Sequence, residues 1–251
     1  MQFLRNTREY FTPVLSQSAF LERGVLTPEE FVKACDNFVT CFPSWKWASG
    51  DPKGLCSYLP KNKQFIITRG VPSYHRVSQT EKLTISENTI ENDWQGATIY
   101  DADDQQQNIP VHNNSQIRDD IDNLENFDEC AIIKCRRYDV SITYDKYYQT
   151  PRCWLIGYNE EGNLLTTDEL FMDIIKDYAD KTVTIELHPH LFTPHIYIHP
   201  CRHAQVMKNM LENIIQHGGN PQVEQYMLIF VKFIQSVIPT IEYDYTCDFT
   251  V

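Results

Sequence analysis

Apolar positions recur along this chain with two different periods, and the switches between them lay out its elements. Phe31, Cys35, Phe38, Val39 and Phe42 fall at helical spacing behind Thr27-Pro28-Glu29-Glu30. There Thr27 can cap, Pro28 suits the first turn and Glu30 can close a capping box, so a helix is predicted over 28–42 and stops at Pro43. Gln64-Phe65-Ile66-Ile67-Thr68 reads as a strand, and Tyr138, Val140, Ile142 and Tyr144 alternate as one face of a half-buried strand does. Residues 153–158 and 182–186 supply two more strands. The last three of these four follow in sequence with no long helical crossover between the first two, which favours an antiparallel meander over a parallel sheet.

Beyond residue 200 the period is helical again. Val206, Met210, Leu211 and Ile214 line one side of a helix expected over 204–216, with Gly218-Gly219 as its stop, and a second helix is expected over 222–237 before Pro239. Ile241-Glu242-Tyr243-Asp244-Tyr245 alternates as an extended tail. The layout is α+β: a helix, a four-stranded antiparallel sheet, then helices. With 251 residues and 42% hydrophobic content the chain can bury a sizeable core, read as one elaborated domain.

Charge divides that domain. Residues 78–130 hold thirteen carboxylates against Lys82 and Arg118, a local balance of −11 within a total of −12. Their Asp, Asn, Gln and Glu richness and sparse apolar content do not offset the entropy of ordering, so this acidic insert is expected to be flexible. It is either a solvated linker or a docking segment that folds on a basic partner, with Trp94, Ile117, Ile121, Leu124 and Phe127 to bury. A basic footprint is missing throughout, which argues against nucleic acid. The expected division is 1–20 as an N-terminal amphipathic segment, 21–77 with 131–251 as the core, and 78–130 as the insert. Phe3, Leu4, Phe11, Val14 and Leu15 approximate one apolar side of the first segment, with Arg5 and Arg8 to meet anionic lipid; a helix docked on the core is the alternative. The start is too polar for a signal peptide, and 226–238 is too short to span a bilayer, so a reducing cytoplasmic setting is expected.

The candidate chemistry lies in Ile198-His199-Pro200-Cys201-Arg202-His203, and five of the eight histidines (His188, His190, His195, His199, His203) fall within sixteen residues around it. Pro200 fixes its own φ and holds His199 extended, so the peptide reads as a rigid turn presenting the Cys201 thiol. Arg202, with His203 as a second candidate, would add positive charge that favours the thiolate. A nucleophile, a zinc ligand and an inert packed thiol all remain open. Zinc is disfavoured because the spacing is not that of paired knuckles and no Cys-x-x-Cys occurs. Cys35, Cys41, Cys56, Cys130, Cys135, Cys153 and Cys247 read as packed or incidental thiols.

Several runs closely resemble the autophagy-related protein 3 family: Tyr58-Leu59-Pro60, Lys63-Gln64-Phe65, the stretch from Tyr138 through Tyr147-Tyr148-Gln149-Thr150-Pro151-Arg152, Thr182-Val183-Thr184-Ile185-Glu186, His199-Pro200-Cys201-Arg202-His203-Ala204, and Ile238-Pro239-Thr240-Ile241-Glu242-Tyr243-Asp244-Tyr245-Thr246. The resemblance implies a ubiquitin-conjugating-like fold. It also implies an enzyme that takes a ubiquitin-like autophagy modifier from an activating enzyme as a thioester and passes it to the amine of phosphatidylethanolamine. By position Cys201 would be the acceptor. Ordinary ubiquitin-conjugating enzymes carry His-Pro-Asn with the cysteine several residues later; here the cysteine takes the asparagine's place, so that side chain cannot stabilise an oxyanion. His199 is expected to shape the loop by bonding backbone. Thr184, with Thr182 and Glu186, is a candidate for positioning or proton removal beside the plainer reading of a core strand. The resemblance makes Ile117, Ile121, Leu124 and Phe127 the expected contact for the activating enzyme, and Phe3, Leu4 and Phe11 a reversible contact with phosphatidylethanolamine membranes. A ligase-like autophagy conjugate is a further expected partner. No cofactor and no metal enter this reading. A sibling enzyme that joins two proteins and a non-catalytic scaffold are the alternatives. Phe171-Met172-Asp173-Ile174 fits a short modifier-binding pattern but is expected within a helix.

Overall fold

The computed structural model describes residues 12–77, 135–175 and 183–242. Its strands are β1 (Lys46–Ala48), β2 (Phe65–Ser73), β3 (Arg136–Asp145), β4 (Thr150–Tyr158), β5 (Val183–Leu187) and β6 (Pro194–Ile198). They form one antiparallel sheet in the order β1-β2-β3-β4-β6-β5. The expectation of four strands is therefore corrected to six among the described residues. Three residues of β1 are too few for alternation to register, and β6 opens on Pro194 inside the histidine-rich run, where proline reads as loop. The simple meander is corrected as well, because β6 pairs with β4 and leaves β5 outermost.

Five helices accompany the sheet among the described residues: α1 (Phe20–Arg23), α2 (Pro28–Cys41), α3 (Thr167–Phe171), α4 (His203–Gln216) and α5 (Tyr226–Val237). The capping box of α2 is complete, with Thr27 Oγ1 accepting from Glu30 N at 3.1 Å and Glu30 Oε2 accepting from Thr27 N at 2.8 Å. Nine of the twelve residues of α5 are buried, and Lys232, Gln235 and Ser236 form its one polar strip. No helix of the described residues is long and apolar enough to cross a membrane.

Alternation gives the sheet two unlike faces. Ile66, Val140, Ile142, Cys153, Leu155, Ile196 and Ile198 join the aliphatic and aromatic side chains of α2, α4 and α5 in the main core. On the opposite face stand Phe65, Ser141, Thr143, Arg152, Trp154 and Tyr197, in direct cross-strand register where paired. Trp154 Nε1 donates to Thr143 Oγ1 at 2.9 Å, and Phe65 packs against the rings of His188 and His190. The loop after β1 covers this second face, since Asp51 N donates to His190 O at 2.8 Å and His190 Nδ1 meets Gly54 O at 2.7 Å.

Two tyrosines fix the start of the described fold. Tyr226 OH donates to Gly24 O and Tyr144 OH to Leu26 O, both at 2.7 Å. Gly24 has φ 66° and lies so close to α4 that a Cβ would stand 2.1 Å from Ala204 O, so only glycine satisfies both constraints. Asp173 is fully buried and accepts from Arg76 at 3.1 Å, Arg136 at 2.9 Å and the Tyr138 hydroxyl. α3 ends at Phe171, so the helix expected across 171–174 covers only its first residue; Phe171 and Met172 are exposed, whereas Asp173 and Ile174 are buried. Phe3, Leu4 and Phe11, the expected insert with Ile117, Ile121, Leu124 and Phe127, Thr182, and the tail beyond Glu242 lie outside the described residues.

Four of the clustered histidines are buried: His188, His190, His195 and His203. Burial is the main cause that lowers all four, to about 2 for His188 and about 4 for His203. Folded values below the ordinary 6.5 mean that the unfolded chain binds the extra protons, so their contribution is complete above about 6.5 and is lost as pH falls. Each histidine still neutral in the fold withdraws about 1.4 kcal/mol per pH unit below that point. The urea midpoint is expected to stay level down to about pH 7 and to drop steeply between about pH 6 and 5; a midpoint flat to pH 5 would refute the neutral assignment.

Candidate active site

The site is built on the end of the β3–β4 hairpin. Asp145 and Arg152 face each other there with 3% exposure each and form an ion pair. The other carboxylate oxygen of Asp145 accepts from the backbone N–H groups of Tyr147 and Tyr148, both at 2.9 Å. The Arg152 guanidinium lies 4.7 Å from the Tyr197 ring centre and 5.5 Å from that of Trp154, so aromatic faces share its charge with Asp145. Gln149 closes the turn at φ 58°, its N–H on Asp145 O at 2.7 Å and its carbonyl accepting from Leu26 N at 2.8 Å.

Against that turn rests the peptide carrying Cys201. β6 ends at Ile198, Pro200–Arg202 forms one 3-10 turn, and α4 starts at His203. His199 is extended (φ −66°, ψ 126°) and accepts the Cys201 N–H on Nδ1 at 3.2 Å. This leaves the proton of the neutral ring on Nε2. Burial, then the nearby Arg152 cation, lowers the His199 pKa and keeps the ring neutral at physiological pH; Asp145 and Glu186 oppose them weakly. The Tyr148 ring meets the His199 ring edge-on at 5.5 Å. His203 sits beneath, between Phe230 and Phe233, with Nδ1 3.0 Å from Pro151 O.

These positions sort the residues singled out from sequence. Cys201 and His199 meet directly. Cys201 is exposed, unlike the other five described cysteines, of which Cys35 and Cys153 are fully buried and have thiols raised by burial. His203 does not supply the positive charge expected of it, because burial holds it neutral; Arg202, the residue after Cys201, is exposed. Thr184 lies exposed on the edge strand β5 opposite Tyr197, and Glu186, two residues on, shares that face. No group of three or more possible metal ligands occurs among the described residues. Asp145, Tyr148 and Arg152 escaped sequence reasoning. Their signal was opposite charges at inward positions on both sides of a short turn in an otherwise apolar alternation.

Among the described residues, Cys201 is the exposed thiol, and it stands in a turn pinned by histidine at the rim of an α+β sheet. The family model described as "Autophagocytosis associated protein, active-site domain" matches residues 30–245. The chain is 39% identical to autophagy-related protein 3 of Dictyostelium discoideum, covering 97% of this chain and 95% of that protein. It is also 39% identical to autophagy-related protein 3 of Arabidopsis thaliana (98% and 94% covered) and 32% identical to that of Candida albicans (98% and 98%). The chain belongs to the autophagy-related protein 3 family. It is a ubiquitin-conjugating-like transferase of autophagy that acts through a thioester, and transfer of a modifier to lipid is the role of this family.

Removing the carboxylate at the base of the site strands a buried cation and frees two backbone N–H groups. Asp145→Ala is expected to lower the unfolding free energy by about 3–5 kcal/mol, measured by urea denaturation at neutral pH; a loss below about 1 kcal/mol, the scale of an exposed pair, would deny the pair this role.

Proposed function

We propose that Cys201 receives the C-terminal carbonyl of a ubiquitin-like autophagy modifier and that the acyl group then passes to the amine of phosphatidylethanolamine. The observation that carries this reading is the exposure of Cys201 in a turn whose backbone is held by His199. A thioester suits the task because its carbonyl lacks amide resonance and its sulfur is a good leaving group. His199 keeps the turn in shape without carrying charge. Thr184 lies on the strand beside it, where a hydroxyl can orient either the modifier's tail or the incoming amine.

The remaining roles follow the family. Ile117, Ile121, Leu124 and Phe127 form the contact for the activating enzyme. Phe3, Leu4 and Phe11 make a reversible contact with the membrane that holds the lipid, burial of each adding at most about 1.5–3 kcal/mol. The protein works in the cytoplasm, peripheral to autophagic membranes, and a ligase-like autophagy conjugate assists the transfer.

Incubation with activating enzyme, modifier and ATP is expected to give a thiol-sensitive adduct on a non-reducing gel, absent from Cys201→Ala, and an intact mass higher by one modifier. No adduct on the unaltered chain would end the proposal, and discharge onto a protein lysine in preference to phosphatidylethanolamine vesicles would turn it to the enzyme that joins two proteins. Replacing Ile121 and Leu124 by Asp is expected to weaken the activating enzyme's binding about 30-fold or more, on the scale of an interface hot spot. Loading at subsaturating enzyme should slow accordingly while discharge of preformed thioester is unaltered; unchanged loading would remove these residues from the contact.

A further inference from the structure

Amine attack on a thioester puts negative charge on the carbonyl oxygen, and a donor aimed at that oxygen contributes much of the catalysis. Most donors around Cys201 are already committed. The Cys201 N–H is taken by His199 Nδ1, and the His203 N–H bonds Pro200 O. The Arg152 guanidinium is enclosed by Asp145, Trp154 and Tyr197, and His203 is buried below.

Tyr148 is placed differently. It reaches the site from the hairpin and not from the cysteine's own loop, with its backbone N–H on Asp145 and its ring against His199 at 5.5 Å and Tyr147 at 4.8 Å. The side chain is half-buried, and its phenol bonds none of the described residues. Burial is the main cause that raises its pKa, with Arg152 opposing, so the phenol remains protonated and able to donate.

We propose that Tyr148 is a catalytic residue of the transfer, its hydroxyl donating to the carbonyl oxygen of the thioester held on Cys201. The amine nitrogen attacks the carbonyl carbon, a C–N bond forms, and the C=O pair moves onto the oxygen that Tyr148 faces. Collapse of the tetrahedral intermediate restores C=O and breaks C–S, and the electron pair leaves with sulfur. The proton shed by nitrogen ends on that sulfur, giving amide and free Cys201 thiol. This inference rests on Cys201 as the acceptor. It fills the place left by the missing asparagine with a side chain from another element of the sheet.

Tyr148→Phe keeps the ring against His199 and deletes only the hydroxyl. Thioesters of the unaltered chain, Tyr148→Phe and Tyr148→Leu are purified, matched in amount and discharged in a single turnover with free ethanolamine, so that neither loading nor membrane recruitment enters the rate. Discharge from Tyr148→Phe is expected to fall about 100-fold, the loss typical of one oxyanion donor, with Tyr148→Leu no faster. A fall of less than about tenfold in Tyr148→Phe, including the case in which only Tyr148→Leu is slow, would overturn the proposal and leave the ring as packing. Failure of the unaltered chain to form a thioester would instead overturn Cys201 as the acceptor, so the two failures are distinguishable.

Discussion

A carboxylate and a guanidinium withdrawn from water hold the end of the β3–β4 hairpin, and the peptide that carries Cys201 rests on that end. Desolvating two such charges is expensive, and their attraction compensates only when the remaining polar atoms are also engaged. Asp145 meets that condition by accepting two backbone N–H groups on its second oxygen; Arg152 meets it in part, lying over Tyr197 and Trp154 while its Nε is buried without a hydrogen-bond partner. Each contact fixes a different part of the site. The N–H groups set the turn with Tyr147 and Tyr148, and the aromatic contact sets β6 immediately before His199. The pair is thus less a source of net stability than a means of giving the turn one shape.

The same polar sheet face explains the abundance of histidine. A ring that must be buried beside tryptophan and phenylalanine, yet satisfy a carbonyl or a hydroxyl, is well served by neutral imidazole, which offers one donor and one acceptor. His188 accepts two backbone N–H groups on Nδ1 at 3.2 Å, leaving Nε2 to donate to Ser141 Oγ at 3.2 Å. His190 bridges to Gly54 and His203 to Pro151. Imidazoles that looked from sequence like ligands or sources of charge instead join loops to the sheet. His199 differs in standing at the rim, where its bond to the cysteine's own backbone makes it part of the site.

How far the chain could be read in advance follows from which signals are local. The α2 helix was legible because Thr27, Pro28 and Glu30 act within one turn, and the helix after Cys201 because its apolar spacing and glycine stop lie within twenty residues. β1 and β6 were not, since a three-residue strand has no period and Pro194 disguises the start of the other. The order of the outer strands depends on which partner β4 accepts, which no local pattern encodes. At the site, a proline beside a cysteine is legible as a turn. The seating of that turn depends on Asp145 and Arg152, far away in sequence, and their relation appears only once β3 and β4 are paired.

That separation bears on how a transferase can place its cysteine within the turn itself. A turn of three residues has few N–H groups, and His199 claims the one on Cys201 to keep the sulfur outward. Rigid presentation of the nucleophile and stabilisation of an oxyanion by the same backbone therefore compete. The fold relieves this competition by bringing a second rigid element, the β3–β4 hairpin, alongside the first. The hairpin can hold its place there only because a buried carboxylate fixes its turn. Chemistry at the sulfur then depends on two structures that do not share backbone, coupled through the contact between the Tyr148 and His199 rings.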